Sequence, residues 1–97
     1  MSTIQYQASA RKAQHSVVPR FYDLKAVMDT FGISRTTILK MVETSHFPKP
    51  VQLFSRRIAW PDHEVEKMVK LFSADLPKEE LVKRVEEIHA ARKELAQ

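Results

Sequence analysis

Ninety-seven residues with a single glycine and no cysteine suffice for one small domain with short extensions, and they exclude disulfides and cysteine-based metal sites. Sixteen Lys/Arg against twelve Asp/Glu leave a net charge of +4 and a pI of about 9.6, a mild basic excess of the kind that favours a polyanion. No apolar run approaches the length of a membrane span or of a signal-peptide core, so the expectation is a soluble, cytoplasmic chain with no membrane partner.

The charge is uneven. Residues 1–19 carry +2, residues 20–72 carry +3 and residues 73–97 carry −1. In residues 1–19, Ile4, Tyr6, Val17 and Val18 stand isolated among Gln, Ser and Ala. No helical or strand period emerges, which predicts a flexible N-terminal arm.

From Asp23 to Phe31 the pattern changes. Leu24, Val27, Met28 and Phe31 fall at i, i+3, i+4 and i+7, the spacing of one apolar helix face. Asp23 suits the N-cap. Gly32 supplies the positive φ that a sharp exit demands. Ser34 then caps a second helix, with Ile33 and Ile38 placed to staple its first turn. Ile38, Met41 and Val42 form its inner face. At about 100° per residue, Thr36 and Lys40 point outward, with Glu43 beside them, Arg35 and Thr37 flanking the N-terminal end and Leu39 part-way round. Two short helices joined at a glycine, the second carrying Arg, Thr and Lys on its outer side, form the pattern of a helix-turn-helix.

The prolines of HFPKP (residues 46–50) hold an extended path and stop the helix. Val51, Leu53, Ile58 and Trp60 then alternate with Gln52, Phe54, Arg57 and Ala59, which predicts a two-stranded β-hairpin turning at Ser55-Arg56 with Trp60 inward beside Ile58. Its turn lacks the Gly, Asn or Asp that such loops favour. Pro61 opens a third helix, tolerated at the first helical position. Asp62 and Glu64 suit the dipole of its first turn, and Val65, Met68, Val69 and Phe72 repeat the apolar stripe. After a connector at residues 73–76, Pro77 opens a fourth helix from Lys78 to about Leu95. Its stripe is Leu81, Val85, Ile88, Arg92 and Leu95, widened by Val82.

In this order, the segments LKAVMDTFGISRTTI, FPKPVQL and RRIAWPDHEVEKMV resemble the AlpA family of prophage regulators, which is itself similar to MerR-type winged-helix proteins and to phage excisionases. The resemblance covers about residues 20–70. It implies a mainly α winged helix-turn-helix with a small β-hairpin wing at residues 20–72, followed by a C-terminal helix in residues 73–97. It also implies binding to specific double-stranded DNA, in a bacterial or phage-encoded, nucleoid-associated protein. Two features depart from the family pattern. Such wings commonly carry Gly at the tip, where Phe54-Ser55-Arg56 stands here, and the last helix extends beyond the typical short domain.

The contacts expected with DNA follow from residue chemistry. Arg35, Thr36 and Lys40, with Thr37 nearby, would read base edges or hold phosphate from the second helix, while Ser34 acts mainly as a cap. Arg56 and Arg57 at the wing tip would reach the backbone or minor groove, and Lys49 between the prolines is a further phosphate candidate. Arg20 and Lys25 read as surface charges, and Trp60 as a core anchor. His15, His46, His63 and His89 lack ligand spacing, and one glycine cannot build a P-loop or a nucleophile elbow. No metal, cofactor or catalysis is expected.

Four roles remain open: a transcriptional regulator of a phage or mobile element, an excisionase assisting an integrase, the small DNA-recognition subunit of a phage terminase, and a protein-binding adaptor. The 77–95 helix would serve either as the seam of a homodimer or higher oligomer, or as extra packing for its own domain.

Overall fold

The computed structural model describes residues 19–95; the expected arm, with Arg11, Lys12 and His15, lies almost wholly outside them. Along the chain run β1 (Phe21–Asp23), α1 (Leu24–Phe31), α2 (Arg35–Glu43), β2 (Val51–Phe54), β3 (Arg57–Pro61), α3 (Asp62–Ser73) and α4 (Lys78–Leu95). The strands make one antiparallel sheet in the order β1-β3-β2.

Local chemistry sets the helix-turn-helix. The Asp23 carboxylate accepts from the Ala26 N–H at 2.9 Å. Gly32 closes α1 at φ 67°, and its N–H donates to the Met28 carbonyl at 2.8 Å. The Ser34 hydroxyl oxygen accepts from the Thr37 N–H at 3.2 Å and so caps α2. Each contact satisfies a backbone group that a short helix would otherwise leave open.

The sheet departs from the two-stranded expectation. β1 adds a third strand, pairing Tyr22 with Trp60 and Asp23 with Ala59. A further clasp lies beside it: the Arg20 N–H donates to the buried Asp62 carboxylate at 2.9 Å, and the Asp62 N–H donates to the Arg20 carbonyl at 2.8 Å. Arg20 is exposed at its side chain, but its backbone ties the start of the domain to α3. The hairpin also breaks strict alternation. Between Gln52 and Phe54 the register shifts, so Leu53 is an extra residue that the expected inward face does not accommodate, and it is 44% exposed. Ala59, expected outward, is buried. Pro61 ends β3, and α3 begins at Asp62.

One core joins all layers: Val27, Ile38, Phe47, Trp60, Val65, Met68, Leu71, Val85 and Ile88. Phe47 sits edge-on to both Phe31 and Trp60, with ring centroids 5.5 and 5.6 Å apart, the arrangement aromatic quadrupoles favour. Trp60 is fully buried, as its anchor role requires, and its indole N–H donates to the Pro48 carbonyl at 2.7 Å. In α3 the buried residues are Asp62, Glu64, Val65, Met68 and Leu71, whereas Val69 is exposed. The buried face is rotated from the expected stripe because α4 packs beside α3. α4 folds back onto its own domain, burying Val85 and Ile88, while Leu95 at its end is exposed. The central part of the proposed oligomer seam is therefore interior.

Candidate nucleic-acid interface

Burial of Ile38, with Met41 and Val42 packed against the core, fixes the rotation of α2. Arg35, Thr36, Thr37, Lys40 and Glu43 are consequently all exposed. Leu39 lies among them at 37% exposure. The Thr37 hydroxyl accepts from the Ser34 hydroxyl at 3.0 Å, so both belong partly to the cap, and Arg35, Thr36 and Lys40 are the side chains with reach. At the C-terminal end, His46 Nδ1 lies 2.8 Å from the Thr44 hydroxyl.

The hairpin presents the second group. Arg56 and Arg57 are exposed at its tip. In place of the customary glycine, Ser55 takes φ 56°, and the Gln52 side-chain amide donates to the Ser55 carbonyl. Gln52 thus braces the turn from within the strand. Phe54, paired across the ladder with Arg57, is 81% exposed.

Lys49 connects the two groups. Its side chain is exposed, but its backbone is clamped by α4. The Lys49 N–H donates to His89 Nε2 at 3.0 Å, and the Lys49 carbonyl accepts from Arg92 Nη2 at 2.6 Å. His89 has its pKa lowered from 6.5, first by burial and then by the charges of Arg92 and Lys49, against weaker opposing pulls from Glu64 and Glu86. The neutral ring is the form that can accept the Lys49 N–H. Sequence reading assigned His89 and Arg92 no such task. Their partners lie 40 and 43 residues away, and no local spacing signals contacts at that range.

Within residues 34–57 there are five Lys/Arg and one acid, Glu43. All five cations are exposed, and among the described residues none is in an ion pair. Elsewhere in the fold, Lys25, Arg84 and Arg92 are paired. The contiguous stretch from the cap of α2 to the hairpin tip is thus an unneutralised basic surface. The eight Cα-to-Cα steps from Glu43 to Val51 span at most about 28 Å, less than one turn of a DNA duplex, roughly 34 Å.

Among the described residues, no cluster of His, Asp and Glu could hold a metal ion, and no helix is long and apolar enough to cross a membrane. Comparison with curated proteins and with solved structures found no match. Residues 20–70 match the family described as prophage CP4-57 regulatory protein (AlpA). The match begins at the Arg20–Asp62 clasp, runs through the helix-turn-helix and the hairpin into α3, and takes in more than half of the chain, which therefore belongs to the AlpA family of small phage-associated DNA-binding regulators, a family of binding proteins and not of enzymes.

Proposed function

We propose that the protein is a sequence-specific transcriptional regulator of a phage or mobile element, with α2 in the major groove and the β2–β3 hairpin on the adjoining backbone or minor groove. The observation that carries this reading is the run of five exposed cations, none in an ion pair among the described residues, against one carboxylate between Ser34 and Arg57. Free cations release condensed counterions when they meet phosphate, and cations already paired within the protein do so less.

The roles divide by chemistry. Arg35 forks onto guanine O6 and N7, Thr36 and Lys40 reach neighbouring base edges or phosphate, and Leu39 offers an apolar contact to a thymine methyl. Ser34 and Thr37 keep the first turn of α2 in shape. Arg56, Arg57 and Lys49 hold the backbone.

Selection of bound duplexes from host genomic DNA by the full chain, followed by footprinting, tests the reading. A single palindrome over a promoter is the expected result. Several adjacent repeats at an attachment site would instead assign the protein to excision beside an integrase, and absence of affinity for any duplex at low salt would refute DNA recognition. Replacing Arg56 and Arg57 with Ala should also reduce the salt slope of log K by about 2, one for each phosphate released; an unchanged slope removes the hairpin from the interface.

A further inference from the structure

Most large apolar side chains in this fold are buried or half-buried, and Phe54 is the chief exception. At 81% exposure it is the most open large hydrophobic among the described residues, and Leu53 next to it is 44% exposed. A loose loop would explain such exposure, but this tip is built. The two-residue turn at Ser55-Arg56 sets Phe54 directly across from Arg57, and the register shift inserts Leu53 beside it as an extra residue. The bulge displaces Leu53 and the residues before it and leaves Phe54 on the outward side that alternation assigns it. Directly paired residues of an antiparallel ladder share a face, so the aromatic ring and the Arg57 guanidinium project from the same side of the tip. Ser55, at φ 56°, carries the turn, and the Gln52 amide fastens it from below.

An exposed phenylalanine on a braced hairpin, set beside two unpaired arginines, is poorly explained by folding. It buries little of its apolar surface. It fits a known way of deforming a duplex: an apolar wedge enters between two base pairs, partly unstacks them and kinks the helix, while adjacent arginines hold the flanking phosphates. A protein partner is the alternative occupant. The flanking Arg56 and Arg57 favour the polyanion, because a desolvated protein contact would have to neutralise both guanidinium groups.

We propose that Phe54 is a wedge that inserts at a base step beside the α2 site and bends the DNA. This rests on the reading of the protein as a DNA binder and extends it from recognition to deformation. Insertion at a flexible pyrimidine–purine step is easier than at a stiff A-tract step, so Phe54 also confers sequence preference at a position that no hydrogen bond reads.

The test uses the full chain and the duplex enriched by selection, carrying donor and acceptor dyes at its ends. Wild type should shorten the end-to-end distance by an amount corresponding to a kink of roughly 20–90°. Phe54→Ala should abolish most of that change and weaken binding about ten-fold, whereas Phe54→Leu, which keeps an apolar wedge, should retain it. Because Phe54 is exposed, neither substitution should lower the melting temperature. Wild type that binds without bending, or Phe54→Ala that bends DNA as wild type does, overturns the wedge and leaves DNA recognition standing. A change in oligomeric state on Phe54→Ala with unchanged bending overturns it in favour of a protein contact. Absence of binding by wild type to any duplex refutes the underlying DNA reading, and the wedge with it.

Discussion

Arg92 grips Glu64 with two prongs: its Nε lies 2.7 Å from one carboxylate oxygen and its Nη2 lies 2.6 Å from the other. The same Nη2 donates to the Lys49 carbonyl. Glu64 is almost fully buried, and the Arg92 side chain is 23% exposed. One guanidinium therefore links α4, α3 and the segment that leads into the hairpin. Removing either partner strands the other charge, so Glu64→Ala and Arg92→Ala should each cost about 3 kcal/mol. A double replacement by Leu should recover much of that loss, because well-packed apolar residues often match a buried pair. Urea unfolding of the three variants checks this. Single variants within about 0.5 kcal/mol of wild type would show the pair to be worth no more than a surface contact.

That pair also shows where sequence reading stops. Asp23, Gly32 and Ser34 were legible as caps because each acts on backbone within three or four residues. Trp60 was legible as an anchor because bulk and alternation agreed. Arg92 fell on the apolar stripe of α4 and stood out only as its one polar member; its partner lies 28 residues away. β1 was invisible for a related reason. Three residues carry no usable period, and pairing with distant β3 makes them a strand. The bulge at Leu53 turned a regular alternation into a misleading one. In the candidate interface, Arg35, Lys40, Arg56 and Arg57 were readable from charge and helical phase. Phe54 also fell on the outward side with Arg57, as observed; the extra residue at Leu53 was not legible, because no local signal marks a bulge.

Burial of His89, with the charges of Arg92 and Lys49 beside it, gives the fold a pH dependence, and the neutral ring is the form that accepts the Lys49 N–H. With its pKa lowered in the folded chain, His89 takes up a proton in the unfolded chain first as pH falls. The contribution of the contact is full above the ordinary value of 6.5 and declines as pH drops through the lower, folded-state value. Unfolding free energy followed from pH 7.5 downward should fall across this window, and His89→Ala should flatten that part of the curve. An identical pH profile for the variant would contradict the role given to the ring.

Ser34 separates stability from recognition. Its hydroxyl caps α2, so Ser34→Ala should cost about 1 kcal/mol while the preferred DNA sequence stays the same. Thermal unfolding together with repeated selection checks both halves. A changed preference without loss of stability would make Ser34 a reader of bases and not a cap.

The outward face of α2 as the DNA reader is tested most directly by comparing affinities for the selected duplex and for a scrambled duplex at one fixed salt concentration, using wild type, Arg35→Ala and Lys40→Ala. Arg35→Ala should lose about 1–3 kcal/mol of discrimination between the two duplexes, with the melting temperature unchanged because the side chain is exposed. Lys40→Ala should weaken binding to one or both. Discrimination and affinity that survive both substitutions intact would contradict the assignment.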